Sequence, residues 1–180
     1  FFSQKINFYS SLLFSLFPLN LYACAQISSI TLQVFLTLLF FYFIFQFVKK
    51  GNFLSIFLLS FVGGLLILLR GEFILILLVS FLYLFFYFKT TIKNILLMIL
   101  IISLTASPYL IRNIVVLDAV VLTKSFGYNL WKGNNPSSTV EGRGIFDENL
   151  KKEIYEIPKN KFYGINFDKI FLDRAIENII

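Results

Sequence analysis

An arginine and a carboxylate lie together in a very short connection between two apolar segments, in the sequence Leu69-Arg70-Gly71-Glu72. A guanidinium group presents a rigid fork of N–H donors that matches phosphate oxygens. Arg70 is therefore predicted to bind the phosphate of a lipid-linked molecule, with Glu72 orienting the arginine or a ligand hydroxyl. The alternative is an arginine that extends to the membrane surface and pairs with its neighbour.

A second arginine ends the last apolar run, in residues 108–113, PYLIRN. Arg112 is predicted to be a second phosphate-binding residue at about the depth of Arg70, and Asn113 is predicted to support the site. The alternative is a simple anchor at the end of a helix. In that case Tyr109 belongs to the belt of aromatic residues that marks a membrane interface.

Amide and aromatic side chains follow each other in residues 127–136, GYNLWKGNNP. Asparagine offers a hydrogen-bond donor and an acceptor together, while Tyr and Trp present flat apolar faces, a combination that suits a sugar. The predicted sugar-binding or acceptor-binding residues are Tyr128, Asn129, Trp131, Asn134 and Asn135. The alternative is an interfacial loop in which Trp131 anchors among lipid headgroups.

Several kinds of chemistry have no residues to support them. The chain has no His and one cysteine, Cys24. It also has no Gly-rich phosphate loop, no cluster of metal ligands and no Ser/His/Asp arrangement. The sequence pI of 9.4 comes from lysines scattered between apolar runs. Because they form no single patch, the basic charge indicates membrane topology and not nucleic-acid binding.

The elements that position these residues are apolar helices. Hydrophobic residues make up 58% of the 180 residues, and the first 112 residues contain seven Lys or Arg and one acid. A span needs about 20 apolar residues. The sequence therefore predicts an all-α polytopic membrane protein, a bundle of about four to five transmembrane helices in residues 1–112. The predicted spans are 8–17 (partial), 27–48, 53–69, 73–88 and 95–111. Gly63-Gly64, inside the third run, predicts a close helix contact.

The lysines predict the orientation of these spans. On a zig-zag path five of them fall on one side, which the positive-inside rule makes cytoplasmic. The Arg70 turn and the residues after Arg112 are then predicted to be periplasmic or extracellular. The five lysines are Lys5, Lys49, Lys50, Lys89 and Lys93.

Residues 113–180 are predicted to form an extracytoplasmic segment, with an ordered loop at 127–144 and two short amphipathic helices. Asp147 is predicted to cap the first helix and Asn166 the second. The chain begins at Phe1 without an initiator Met, and its last residues read as a helix stopped midway, so we expect an internal fragment. The inward faces are predicted to be Leu150, Ile154 and Ile157, before a stop at Pro158, and then Phe171, Ala175 and Ile179.

Taken in order, these motifs resemble the bacterial membrane glycosyltransferases related to dolichyl-phosphate-mannose–protein mannosyltransferases, which have the type C glycosyltransferase fold. Residues 69–72 are similar to the family's Thr-Arg-Pro-Glu turn, with Gly71 where Pro is common. Residues 108–113 are similar to Pro-Trp-x-x-Arg-Asn. Residues 127–136 are similar to Gly-Tyr-Asn-Leu-Trp-x-Gly-Asn-Asn-Pro, with Glu141-Gly142 shortly after. Residues 17–32 are similar to a further family segment, with Ile30 where Glu is common.

The resemblance implies a polyprenyl-phosphate sugar donor, inversion at the anomeric carbon and a site on the outer face of the bacterial inner membrane. The acceptor would be a lipid, a glycan or a protein. Arg70 and Arg112 would bind the donor phosphate. The family's catalytic carboxylate lies in a first outer loop that has no counterpart here, so the base is expected upstream of Phe1. Some relatives use a divalent metal, and the cofactor is left unassigned.

Two other classes of protein remain open, a polytopic transporter subunit and a non-catalytic membrane scaffold. A transporter is expected to place polar or ionisable groups near the middle of the bilayer. The predicted spans 27–48 and 73–88 carry no charge, and the polar groups are concentrated at the outer boundary. That distribution favours an enzyme that acts at the membrane interface.

Overall fold

A computed structural model describes residues 3–26, 29–122, 125–136, 148–157 and 165–179, and within these ranges the regular elements are all helices. They divide into two compact units, unit 1 (Phe1–Ser107) and unit 2 (Pro108–Ile180). The all-α prediction is therefore confirmed for this part of the chain. The helices are α1 (Gln4–Leu16), α2 (Pro18–Ala25), α3 (Ile30–Lys50), α4 (Phe53–Leu69), α5 (Phe73–Phe86), α6 (Ile92–Leu117), α7 (Phe126–Asn134), α8 (Glu148–Glu156) and α9 (Ile165–Ile179).

In the described ranges, two helices are long and apolar enough to cross a membrane, α3 and α6. The α1 and α2 helices pass the same test only as a pair, with a bend of 51° at the break before Pro18. The α4 and α5 helices are apolar but shorter. The apolar helices are thus consistent with a helical membrane protein, and the count of four to five spans stays a prediction.

The connection between α3 and α4 shows how local sequence sets helix ends. Gly51 adopts a left-handed conformation with φ 59° and donates its N–H to the Phe47 carbonyl oxygen at 2.8 Å. Asn52 then caps α4, because its side-chain oxygen accepts from the Ser55 amide at 3.0 Å. A glycine that ends one helix and an asparagine that starts the next make a tight reversal.

Small residues let α4 pack closely inside unit 1. A Cβ atom on Gly64 would lie 2.7 Å from the Thr105 Cβ atom of α6, and one on Gly63 would lie 3.0 Å from the Leu77 side chain of α5. This confirms the predicted close helix contact. Small residues at such crossings bring helix backbones together, which is how helices associate where lipid removes the hydrophobic driving force.

Helix α6 continues through Pro108 without a break. Proline has no N–H, so the carbonyl oxygen of Leu104, four residues earlier, loses its usual partner. The Ser107 hydroxyl donates to that carbonyl oxygen at 2.9 Å. The helix ends at Leu117, and Asp118 follows in a left-handed conformation with φ 54°.

The structure of residues 126–134 in unit 2 differs from the prediction. Residues 126–134 form helix α7, whereas an ordered loop was predicted there. The carboxylate of Asp168, in α9, accepts hydrogen bonds from the backbone amides of Gly127 (3.0 Å) and Tyr128 (2.9 Å). A carboxylate distant in sequence therefore accepts from the free backbone amides at the start of α7, where no nearby side chain forms a cap.

The inward faces predicted for the amphipathic helices of unit 2 are confirmed in part. Leu150 of α8 and Phe171 and Ala175 of α9 are buried with Trp131 in one core. Ile179 is 55% exposed, so its predicted inward position is wrong. Helix α9 begins at Ile165, so Asn166 lies inside its first turn and the prediction that it caps the helix is wrong. Among predicted residues, Ile27, Ser28, Glu141, Gly142, Asp147 and Pro158 lie outside the described ranges.

Candidate functional site

Arg70 lies at the end of α4, in a connection of three residues before α5 begins. Its amide donates to the Leu66 carbonyl oxygen at 2.9 Å, and its own carbonyl oxygen accepts from the Phe73 amide at 3.1 Å. Both sides of the turn are therefore fixed by backbone hydrogen bonds. An exposed guanidinium group is held at the junction of two apolar helices.

Gln33 holds the side chain of Arg70. The arginine Nη1 donates to the Gln33 Oε1 at 3.1 Å, across 37 residues of sequence. Gln33 is in the second turn of α3, inside an otherwise apolar run. Because an amide is neutral, this contact positions the guanidinium group without cancelling its charge. The other N–H donors of the fork make no further hydrogen bond within the described ranges.

Glu72 is exposed at the start of α5. The ion pairs among the described residues involve Arg174 and Lys151, and none joins Glu72 to Arg70. Arg70 therefore contacts the Gln33 amide and does not form the ion pair with Glu72 that was the alternative prediction. A role of Glu72 toward a ligand hydroxyl stays a prediction.

Asn113 joins Arg112 to the segment that follows α6. The Asn113 side chain is 1% exposed, accepts from the Arg112 Nη1 at 2.9 Å and donates to the Val121 carbonyl oxygen at 2.7 Å. This buried side-chain amide bonds to both the Arg112 guanidinium group and the Val121 carbonyl oxygen, so it holds residues 118–121 against the end of α6. Asn113 thus contacts Arg112 directly, and the roles of both residues in a phosphate site stay predictions.

The predicted sugar-binding residues lie on different sides of α7. Trp131 is 3% exposed, and its ring centroid is 5.1 Å from that of Phe171, so neither ring face is open to a sugar. Tyr128 is half-buried and contacts the same phenylalanine at 5.1 Å. Trp131 therefore has a packing role in this core, and its role toward a sugar stays a prediction.

The amides of the same helix are more accessible. Asn129 and Asn134 are exposed, and the Asn134 side chain donates to the Leu130 carbonyl oxygen at 2.8 Å. Asn135 is half-buried just after the helix. These three residues stay candidates for a polar ligand.

Neither a family model, nor a curated protein, nor a solved structure matches the chain. The family resemblance of the motifs therefore remains a prediction.

An apolar groove of about 540 Å³ lies between α5 and α6 of unit 1. Its walls are aliphatic and phenylalanine side chains, among them Leu78, Phe81 and Ile99. Ile67 and Ile74, which flank the Arg70 turn in sequence, also line it. A hydrocarbon chain is the kind of ligand that such a surface accommodates. In the ranges the structure describes, no group of three His, Cys, Asp or Glu side chains is placed to hold a metal ion.

Two residues with structural roles were missed by sequence reasoning. Gln33 is the first, although a polar side chain in a mainly apolar run signals a polar partner on another helix. Asp168 carried no local signal at all. Its effect depends on the packing of α9 against the start of α7.

Proposed function

We propose that this chain belongs to a membrane glycosyltransferase that moves a sugar from a polyprenyl-phosphate donor to a lipid, glycan or protein acceptor. The reaction would take place at the extracytoplasmic face of the bacterial inner membrane. The observation that carries the proposal is the exposed Arg70 guanidinium group, positioned by a neutral amide at the junction of two apolar helices.

The charge of Arg70 suits the departure of a lipid phosphate. When the bond between the sugar and the phosphate breaks, negative charge develops on the phosphate oxygens, and a fixed cation stabilises it. A carboxylate partner would neutralise that cation, whereas Gln33 leaves it available. Arg112 is the second candidate for the same chemistry, and the general base is expected in a segment upstream of Phe1.

The apolar groove supports a lipid-linked donor over a soluble nucleotide sugar. Its walls give a hydrocarbon chain a surface beside α5 and α6, and Ile67 and Ile74 bring that surface to the helices that carry the Arg70 turn. The orientation follows from the lysines, which lie in connections other than the one that contains Arg70.

The test is the transfer of radiolabelled sugar from polyprenyl-phosphate donors in membranes that contain the full-length protein. We expect Arg70→Ala to lower the transfer rate by about 100-fold, the loss typical when one preorganised electrostatic contact is removed. Arg70→Lys, which keeps the charge but loses the fork, should retain part of that rate.

Arg174→Ala is a control that removes an arginine from unit 2, where Arg174 pairs with Glu177 at 3.4 Å. If Arg70→Ala and the parent protein transfer sugar at equal rates, at equal expression, Arg70 does not act on the donor phosphate. If no polyprenyl-phosphate sugar is a substrate for the parent protein, the transporter or scaffold class is favoured instead.

A further inference from the structure

We propose that unit 1 also binds the phosphate headgroup of an anionic phospholipid, at the end where α3 stops and α6 begins. A pocket of about 280 Å³ lies there, between the last turn of α3 and the connection from α5 to α6. This site is separate from the Arg70 turn, which lies at the other ends of α4 and α5. The inference does not rest on sugar transfer.

Positive charge is concentrated around this pocket. Lys89 lines it, Lys93 is in the first turn of α6, and Lys49 and Lys50 are in the last turn of α3. All four side chains are exposed. The one acid in residues 1–107 is Glu72, in the connection between α4 and α5, so unit 1 supplies no carboxylate next to these lysines in sequence. Such clusters attract anionic headgroups.

A threonine gives the pocket a polar wall. Thr90 lines the pocket, and the residue is 9% exposed. Its amide donates to the Leu84 carbonyl oxygen at 3.2 Å. Its hydroxyl is both a donor and an acceptor, so a ligand oxygen in the pocket can accept a hydrogen bond from it.

The beginning of α6 adds backbone donors. The first hydrogen bonds of this helix run from the Asn94 and Ile95 amides to the Thr91 carbonyl oxygen. The amides of Ile92 and Lys93 precede them, and the first amides of a helix have no partner within it. Donors of this kind, at the positive end of the helix dipole, favour a phosphate.

The position and the lining favour a phospholipid over free phosphate. The pocket lies at the ends of α3 and α6, the two helices able to cross a membrane, which is the depth of lipid headgroups. Phe47 and Phe88 form an apolar wall of the pocket, next to Lys89 and Thr90. A phospholipid, which has a charged headgroup next to its apolar chains, fits this combination of basic and apolar lining.

The experiment is a native mass spectrometry titration of the full-length chain in non-ionic detergent with dihexanoyl phosphatidylglycerol. Dihexanoyl phosphatidylcholine and inorganic phosphate are the comparison ligands. We expect the anionic lipid to bind at least about 5-fold more tightly than the zwitterionic lipid, because of its net charge. Inorganic phosphate at equal concentration should not displace it.

Three variants localise the binding. The double variant Lys89→Gln with Lys93→Gln should lower the affinity for the anionic lipid by roughly 10-fold or more. Lys151→Gln with Lys152→Gln removes the same charge from unit 2 and should change the affinity less than about 2-fold. Thr90→Val keeps every charge and should weaken binding by about 3-fold through the lost hydroxyl. Far-UV circular dichroism checks that each variant keeps its helices.

Equal affinity for the two lipids, or equal effects of the two lysine pairs, would overturn the proposal. Displacement by inorganic phosphate would assign the pocket to free phosphate and overturn the lipid assignment. Because none of these measurements uses sugar transfer, their failure leaves the glycosyltransferase proposal unchanged, and the reverse also holds.

Discussion

The two units pack the same secondary structure in different ways. Unit 1 brings α4 close to α6 at Gly64 and leaves large apolar side chains such as Leu75 and Phe86 exposed. The core of unit 2 contains the aromatic rings of Trp131 and Phe171, and charged residues of α8 are exposed. The exposed apolar surface of unit 1 suits hydrocarbon, where close packing holds helices together, whereas burial of aromatic rings stabilises the core of unit 2.

The largest effect is expected from removing the centre of the unit 2 core. Trp131→Ala should cost about 4 kcal/mol of unfolding free energy, because the cavity left against Phe171 cannot collapse fully. Hydrogen exchange of the α7 and α9 amides measures the loss. Tyr155→Ala is the control, since that ring is 84% exposed. Unchanged protection in Trp131→Ala would show that this ring does not stabilise the core of unit 2.

Gly127 is the point where unit 2 depends on a small residue, as unit 1 does. An added Cβ atom would overlap the Asp168 carbonyl oxygen and crowd the Leu172 amide, both backbone groups of α9 that cannot move aside. We expect Gly127→Ala to cost about 3 kcal/mol. Gly133→Ala, in the same helix with no atom near its Cβ position, should be neutral or slightly stabilising. Equal melting temperatures for the two variants would contradict the close contact.

Gly64 tests the packing rule inside unit 1. Its added Cβ atom would meet the Thr105 side chain at 2.7 Å, and a β-branched residue in a helix has little freedom to turn away. Gly64→Ala should cost about 2 kcal/mol. Faster hydrogen exchange in α4 and α6, measured in detergent micelles, is the expected result. Gly71→Ala, with open space around it, provides the baseline, and identical exchange in both would show that α4 and α6 are not in contact.

The smallest effect is expected for the polar contact in unit 1. Gln33→Ala removes the acceptor that positions Arg70, at a cost of about 1 kcal/mol in transition-state stabilisation, or a transfer rate lower by about 5-fold. Gln33→Glu should lower the rate further, because a carboxylate neutralises the guanidinium group. If Gln33→Glu is as active as the parent protein, the charge of Arg70 does not contribute to the reaction. Initial rates with a polyprenyl-phosphate sugar donor measure both variants.

The apolar helices were predictable because each signal for them is local. Residues 53–69 were predicted as a span, and α4 has those limits, with Asn52 before it and Arg70 after it. The run predicted at 95–111 does continue through Pro108, in a longer helix. Hydrophobic runs bounded by capping or charged residues carry this information within a few positions.

What sequence reasoning missed depends on contacts between distant residues. Glycine and asparagine in residues 127–135 favour turns by local propensity, yet Asp168 and the core around Trp131 stabilise a helix there. Tertiary contacts override a weak local preference. In the same way, the bond between Arg70 and Gln33 spans 37 residues, and no periodic pattern in either segment indicates it.

The hydroxyl of Ser107 has a consequence for how α6 can be carried through a bilayer. An unbonded carbonyl oxygen is a polar defect that hydrocarbon does not solvate. By donating to the Leu104 carbonyl oxygen, Ser107 supplies the hydrogen that Pro108 cannot. A side-chain hydrogen bond thus takes the place of one backbone bond, and α6 passes Pro108 without presenting an unbonded Leu104 oxygen to lipid tails.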